Sequence, residues 1–127
     1  MAKQNAIYKC DICGNVVSVL EAHAGELVCC GQPMNLLEEK TGAQEGKEKH
    51  VPIVESFEKG IRVRVGSIPH PMEEKHYIEL IQLIKGDDVV AGKRLNSDDE
   101  PVAEFCNLHT KGLKARILCN IHGVWIS

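Results

Sequence analysis

The most constraining feature of this 127-residue chain is a set of four cysteines near its start. Cys10 and Cys13 form a Cys-x-x-Cys pair, and Cys29 and Cys30 stand side by side. Four convergent thiolates form a tetrahedral site that suits zinc or iron. Adjacent residues of an extended strand point to opposite faces, so both sulfurs reach one ion only if the backbone turns sharply there. Gly31 follows at once and can supply the backbone conformation that such a turn needs.

Two disulfides are the alternative explanation for these four cysteines. Disulfides belong to oxidising compartments. The sequence begins without a long apolar run after its basic residue, so no secretory signal is recognised, and no stretch approaches the length of a membrane span. We therefore expect a cytoplasmic protein whose cysteines bind a metal ion. Iron would make the site an electron carrier, and zinc would make it structural.

Composition narrows the possible partners. The formal net charge of -3 gives no electrostatic footprint for nucleic acid, and no basic amphipathic stretch indicates a membrane surface. Aromatic residues make up 4% of the chain, so the core is expected to be mainly aliphatic. Six cysteines and six histidines are more informative, because these residue types bind transition metals.

The sequence divides into three segments. Residues 1–37 hold the four cysteines and are too few to fold on apolar burial alone, so a bound metal would supply the missing stability. Residues 38–49 are polar and have no apolar period, which predicts a linker or long loop. Residues 50–127 alternate short apolar strands with turn residues, which predicts an immunoglobulin-like antiparallel β-sandwich. The predicted fold class is therefore mainly β, without a long helix.

A second set of candidate metal ligands lies in the predicted sandwich, at strand ends and in loops. Loops cluster at the ends of a β-sandwich, so these residues can meet at one end. Four imidazoles and one thiolate leave a six-coordinate metal with one open position and favour a redox metal over calcium or magnesium. Taken singly, each residue has a simpler explanation, as a solvated histidine or a small buried thiol. The five are His50, His70, His76, Cys119 and His122.

One motif occurs twice in the last third of the chain. Cys106 and His109 are spaced as Cys119 and His122 are, with asparagine after each cysteine, and spacing alone does not choose between them. We expect Cys106 to be a buried strand thiol and His109 to be a solvent-facing turn residue. His23, in the turn of the first segment, is also expected to face solvent.

Longer motifs resemble a known family. Residues 8–15 (YKCDICGN) and 27–31 (LVCCG) resemble the desulforedoxin type of domain. Residues 47–52 (KEKHVP), 65–76 (VGSIPHPMEEKH) and 119–123 (CNIHG) resemble the neelaredoxin type. Together they resemble the desulfoferrodoxin family of two-iron superoxide reductases, over nearly the whole chain. Where that family often has Gly-His-Trp, this chain has Gly-Val-Trp at 123–125, and the differing residue is not a ligand.

The resemblance implies two iron ions per chain. It also decides between the two Cys-Asn-x-His motifs, because the family's ligands fall on Cys119 and His122. It implies that Glu48 is the sixth ligand of the ferric resting state and that the ammonium of Lys49 steers an anion inward. The first iron would be held by Cys10, Cys13, Cys29 and Cys30. The second would be held by His50, His70, His76, Cys119 and His122.

The implied activity is one-electron reduction of superoxide to hydrogen peroxide, without release of O2. The resemblance also implies a rubredoxin-like electron donor and a homodimer. Three other functions remain compatible with the residues alone. The chain could be a non-catalytic iron electron-transfer protein, a structural zinc protein, or a dismutase that also oxidises superoxide.

Overall fold

The computed structural model of the chain describes residues 2–42, 47–106, 108–109 and 111–127. Residues 47 and 48 are described by their backbone alone. Apart from one short helix, the regular structure of these residues is antiparallel β-sheet, which confirms the predicted fold class. None of the described helices is long and apolar enough to cross a membrane.

The chain forms two compact units, Met1–Glu38 and Glu39–Ser127. The first unit holds a three-stranded sheet in the order β2-β1-β5 and a separate two-stranded hairpin, β3-β4. Its buried apolar residues are few, which is typical of a unit that needs a bound metal or a cross-link for stability. Its strands are β1 (Ile7–Lys9), β2 (Val16–Ser18), β3 (Val28–Cys29), β4 (Gln32–Pro33) and β5 (Asn35–Leu36).

The β3-β4 hairpin explains the adjacent cysteines. Cys29 pairs with Gln32, so the connection consists of Cys30 and Gly31. Both have positive φ, 53° and 77°, as a two-residue type I′ turn requires. Glycine adopts this conformation without steric cost, whereas Cys30 is a non-glycine residue held in it. The tight turn reverses the chain immediately after Cys29 and thereby brings its sulfur and that of Cys30 to one side.

Within its described residues, the second unit contains a four-residue helix and seven strands. The strands form two antiparallel sheets, in the orders β10-β7-β6 and β12-β11-β8-β9. The elements are α1 (Lys47–His50), β6 (Pro52–Phe57), β7 (Gly60–Val65), β8 (Ile78–Lys85), β9 (Asp88–Arg94), β10 (Val102–Cys106), β11 (Leu113–Cys119) and β12 (Gly123–Ile126).

The core of the second unit lies between these two sheets. Strand β7 alternates strictly, with Ile61, Val63 and Val65 buried and the arginines between them on the other face. Strand β8 contributes Ile81 and Leu83 from the other sheet. This period-two burial is the pattern expected for two sheets that pack face to face. As expected from the composition, the core is mainly aliphatic, with Trp125 as its one buried aromatic residue among those described.

The strand registers bring several loops to one end of the sandwich. In the first sheet Pro52 pairs with Val65, so the start of β6 and the end of β7 lie together. In the second sheet Cys119 pairs with both Ile78 and Gly123. The start of β8, the end of β11 and the start of β12 therefore also share one end.

The structure differs from the sequence-based expectations at His50 and at the start of the predicted linker. His50 is one of the ligand candidates expected at strand ends or in loops, but it is the last residue of α1, and Val51 separates it from β6. Within the predicted linker, 38–49, Lys40 forms a parallel bridge with Trp125 of β12. The start of this polar segment therefore belongs to the sandwich, because its backbone groups bond to the edge of a sheet.

Candidate metal centres

The first cluster joins the four cysteines of the first unit. The sulfur atoms of Cys10, Cys13, Cys29 and Cys30 all lie within 4.8 Å of one another. The Sγ atoms of Cys13 and Cys29 are 3.6 Å apart, well beyond the roughly 2.05 Å of a disulfide bond. All four thiols are free. The arrangement is therefore a convergent thiol cluster, and the disulfide alternative finds no support in the structure.

Electrostatics within this cluster favour a bound cation. The backbone N–H of Cys13 donates to Sγ of Cys10 and lowers the pKa of that thiol to about 6. Hydrogen bonds with neighbouring thiols, first with Cys13, raise the pKa of Cys30 to about 12. One thiolate thus forms easily and opposes ionisation of the others. A metal cation removes this conflict, because it stabilises all four thiolates together.

The second cluster forms at the end of the sandwich where the loops meet. One histidine of the cluster is the last residue of helix α1, and two lie in the connection between β7 and β8. The end of β11 and the turn that follows it supply a cysteine and a histidine. One ligand atom from each residue lies within 4.8 Å of those of all the others. The five residues are His50, His70, His76, Cys119 and His122.

The four imidazole rings of the second cluster form a closed cycle. Successive ring centroids lie 4.7 to 4.9 Å apart, and each ring meets the next edge to face, with interplanar angles of 65° to 80°. This arrangement lets each ring present a nitrogen to a common centre. The cycle passes through His50, His70, His76 and His122 in that order.

Two ring nitrogens in this cycle show that the site fits a metal ion. Nε2 of His70 and Nε2 of His76 are buried and have no hydrogen-bond partner. A buried polar atom without a partner costs roughly 1–3 kcal/mol, and such atoms are rare in folded proteins. A metal ion coordinated by both nitrogens would remove this cost.

The other nitrogen of His70 fixes the form of this ligand. Its Nδ1 lies 2.7 Å from the carbonyl oxygen of Pro71, so Nδ1–H donates to that oxygen and Nε2 keeps a free lone pair. Burial lowers the pKa of His70 to about 4, and the hydrogen bond to Pro71 only partly opposes this shift. The imidazole is therefore neutral near pH 7, as a metal ligand must be.

The thiol of Cys119 is buried at the end of β11. Burial raises its pKa, and the backbone N–H of His122, 3.4 Å from Sγ, opposes the rise. The charge of Lys40 acts in the same direction as this N–H group. A thiolate at this position therefore requires a cation beside it, and a metal ion supplies that charge.

Asn120 connects the loops that carry the ligands. Its side-chain oxygen accepts from the backbone N–H of Tyr77 at 2.9 Å, and its side-chain nitrogen donates to the carbonyl of Lys75 at 3.0 Å. His76 lies between these two residues, so one asparagine fixes its loop against the turn after Cys119. Sequence reasoning missed this role, although the asparagine after the cysteine was visible in the motif.

With both donor sets described, the comparisons with known proteins identify the family. Residues 2–37 match the desulfoferrodoxin N-terminal domain, and residues 42–127 match the desulfoferrodoxin family itself. The chain belongs to the desulfoferrodoxin family. A desulfoferrodoxin homolog of Archaeoglobus fulgidus is 52% identical over 127 residues, which cover 100% of this chain and 99% of that protein. This finding confirms the resemblance inferred from the motifs.

Two further proteins are similar to the first part of the chain and to the whole chain, respectively. The desulforedoxin of Megalodesulfovibrio gigas is 56% identical over 34 residues, which cover 27% of this chain and 92% of that protein. Over the whole chain, the crystal structure of the superoxide reductase from Treponema pallidum is similar, with a TM-score of 0.73 and 27% identity. That match covers 96% of each chain.

The resemblance to desulfoferrodoxin predicts two pocket residues, Glu48 and Lys49, and the structure describes the side chain of Lys49 alone. Lys49 directly precedes the ligand candidate His50 and is exposed to solvent. The side chain of Glu48 lies outside the described residues, so its predicted place beside the site stays a prediction. His122, at the opposite edge of the cycle from His70, is also exposed.

The structure shows which of the two Cys-Asn-x-His motifs contributes to a candidate metal centre, because the second cluster includes Cys119 and His122. Cys106 and His109 belong to neither cluster among the described residues, and both are exposed. The expectation of a buried Cys106 thiol is therefore wrong. Along β10, Ala103 is buried, whereas Glu104 and Cys106 both point outward. Counting the period of two from Ala103 would have shown this. His23 is exposed as expected and contacts Glu21.

Proposed function

We propose that this chain is a superoxide reductase whose second cluster binds the catalytic iron. The observation that supports this most strongly is the convergence of five ligand candidates, two of which have a buried ring nitrogen without a hydrogen-bond partner. The five are His50, His70, His76, Cys119 and His122. Together with the family, this donor set supports one iron in the second cluster and one in the four-cysteine cluster. When bound, ferrous iron supplies one electron, and with two protons superoxide becomes hydrogen peroxide.

The residues of the second cluster suit an anionic substrate. Neutral imidazoles, such as that of His70, leave the positive charge of a metal ion largely uncompensated, and Cys119 contributes the one negative ligand. Exposure of His122 places one edge of the cluster at the solvent boundary, where a small anion can enter and peroxide can leave.

Lys49 and Glu48 have opposite roles in this proposal. The exposed ammonium of Lys49, next to His50, attracts superoxide and stabilises the charge that develops on the reduced oxygen. The carboxylate of Glu48 would be a further ligand of the iron in its oxidised resting state. Replacement Glu48→Ala should then alter the ferric absorption spectrum, and an unchanged spectrum would contradict this role.

The first cluster, in this proposal, binds an iron that is not required for the reaction with superoxide. Residues 1–37 and 50–127 then hold one iron each, and the segment 38–49 that connects them begins with residues bonded to the sandwich. A rubredoxin-like protein reduces the catalytic iron again after each turnover. All six thiols of the chain are free, which fits a reducing compartment, and we place the protein in the cytoplasm.

We further propose that the first units of two chains form a homodimer. Strand β2 lies at the edge of its sheet, and all three of its residues are exposed. Leu20 is 85% exposed and Val28 is 60% exposed in the same unit. Several exposed apolar residues on so small a unit support an interface between copies.

The function is tested by metal analysis and product stoichiometry on the purified protein. A superoxide reductase with a chemical reductant forms one hydrogen peroxide for each superoxide consumed, whereas a dismutase forms half as much and releases O2. Azide should change the absorption of the second iron, because this anion competes with Glu48 for the position that superoxide would use. A pure electron carrier would show neither the reaction nor the azide effect, and either absence would refute the proposal.

A further inference from the structure

Lys40 lies against the second cluster, although no motif includes it. Its backbone N–H donates to the carbonyl of Val124 at 2.9 Å, and its own carbonyl accepts from the N–H of Ile126 at 2.8 Å. These two bonds form the parallel bridge to Trp125. The backbone of Lys40 is therefore fixed to β12, the strand that begins directly after His122.

The side chain of Lys40 contacts the turn that carries two of the five donors. Its Nζ donates to the carbonyl oxygen of His122 at 2.9 Å, and the same ammonium lies 5.3 Å from the ring centroid of Trp125. The indole N–H of Trp125 donates to that same oxygen at 3.1 Å. Two donors thus hold one carbonyl, and one of them carries a full positive charge.

Trp125 extends this contact to a second ligand candidate. Its ring stacks on the imidazole of His50, with centroids 4.8 Å apart and an interplanar angle of 15°. Lys40, Trp125, His50 and the turn at His122 therefore form one connected set of contacts. Lys40 as a whole is half-buried, although the bond from its ammonium to the carbonyl oxygen of His122 is exposed to solvent.

A half-buried ion pair, in which the side chain of Glu39 is 43% exposed, holds the segment in which Lys40 lies. Glu39 contacts the guanidinium of Arg116 at 3.3 Å, and the side chain of Arg116 is 5% exposed. Gln82 accepts two further bonds from the same guanidinium, at 3.0 and 2.6 Å. These contacts fix the residue before Lys40, so its ammonium has a defined position relative to the cluster.

We propose that Lys40 is a positioning residue that raises the reduction potential of the second metal centre. It does so by holding a positive charge against the backbone carbonyl of His122. The inference rests on the proposed iron site. Oxidation from ferrous to ferric iron adds one positive charge to the centre. A nearby fixed cation disfavours this more positive state and so favours the reduced form that reacts with superoxide.

Three variants of the full-length, iron-loaded protein test this role. Lys40→Gln keeps a hydrogen-bond donor and removes the charge, Lys40→Arg keeps the charge, and Lys59→Gln removes an exposed lysine from the β6-β7 turn at the far end of the sandwich. Redox titration followed by absorption measures the midpoint potential of the second iron. If Lys40→Gln does not fold, Lys40→Met, which keeps the apolar stem, takes its place.

We expect Lys40→Gln to lower the equilibrium constant for reduction at least about threefold, or roughly 28 mV at 59 mV per tenfold. Lys40→Arg should restore the potential, and Lys59→Gln should leave it unchanged. Equal potentials in Lys40→Gln and the unmodified protein would overturn the inference, as would an equal fall in Lys40→Arg. Failure of the unmodified protein to load iron at the second site would instead refute the proposed function.

The one tryptophan of the chain gives a readout that needs no iron. Trp125 is 2% exposed, with Lys40 above its ring. In the iron-free protein, quenching of its fluorescence by acrylamide should increase in Lys40→Gln and not in Lys59→Gln. Unchanged quenching would show that the ammonium does not hold the turn in solution, and would count against the positioning role.

Discussion

The imidazole of His50 stacks on the indole of Trp125, with ring centroids 4.8 Å apart and planes inclined by 15°. Both residues are buried. Trp125 is a core residue and also the group that sets the plane of one ligand candidate. Packing of the sandwich and assembly of the second cluster therefore depend on the same side chain.

Replacing Trp125 by alanine should weaken both the fold and the second site. Loss of so large a buried ring typically costs about 3–5 kcal/mol, and His50 loses the surface against which it is oriented. Urea denaturation measures the first effect and iron per chain the second. Val90→Ala, at an exposed position of β9, is the control and should change neither. Full iron at the second site in Trp125→Ala would show that His50 needs no such support.

Much of this site was predictable because its ligands carry motifs, whereas its supporting residues do not. The spacing of Cys119 and His122 and the strand-end positions of the histidines indicated a shared site. Lys40 and Arg116 gave no such signal. Lys40 lies in a polar segment that resembled a linker, and its role follows from a bridge to β12 that is distant in sequence.

Arg116 shows a second limit of pattern reading. Alternation along β11 places Arg116 on the face opposite Ile117, where a charged residue is usually exposed to solvent. It is buried, because Glu39 and Gln82 cover and satisfy its guanidinium. A long-range ion pair of this kind depends on which distant segment packs over the sheet, and local periodicity contains no information about that.

Lys49→Ala should slow the second-order reaction with superoxide and reduce its dependence on ionic strength. An exposed ammonium beside the entrance raises the local concentration of an anion, and salt screens this attraction. Rapid-mixing or pulse-radiolysis kinetics at several salt concentrations measure both effects, with Lys59→Ala as the control for loss of one charge. An unchanged rate and salt slope would remove Lys49 from the mechanism.

Cys13→Ser should bleach the first site and leave most of the reactivity with superoxide. Replacing one thiolate of four weakens iron binding there, while the second cluster keeps all of its donors. Absorption spectra and superoxide kinetics on the same preparation test this, with Cys106→Ser, an exposed thiol outside both clusters, as the control. Loss of both properties together would mean that the two iron domains do not act independently.

Acid should destabilise the iron-free protein partly through His70. Burial lowers its pKa in the folded chain from 6.5 to about 4. Between these values the unfolded chain binds the proton and the folded chain does not, so this contribution is present above pH 6.5 and is lost as pH falls towards 4. This shift in pKa corresponds to roughly 3 kcal/mol of the free energy of unfolding, lost as the pH falls from 6.5 to about 4.

Urea denaturation of the iron-free protein from pH 8 to pH 4.5 measures this effect of His70. Relative to the unmodified chain, His70→Gln should lose less stability across the window, whereas His23→Gln, at an exposed turn, should follow the unmodified chain. Parallel curves for the His70→Gln and unmodified proteins would show that His70 is not held neutral by burial.

Leu20→Glu should convert the proposed homodimer into a monomer. A charge placed among the exposed apolar residues of the first unit must lose its hydration when two copies meet, and the cost opposes association. Analytical ultracentrifugation across a range of protein concentrations measures the change. Val90→Glu introduces the same charge at an exposed apolar position of the second unit and should leave the dimer intact. Dissociation by Val90→Glu but not by Leu20→Glu would place the interface on the sandwich, and a monomer in the unmodified protein would remove the interface altogether.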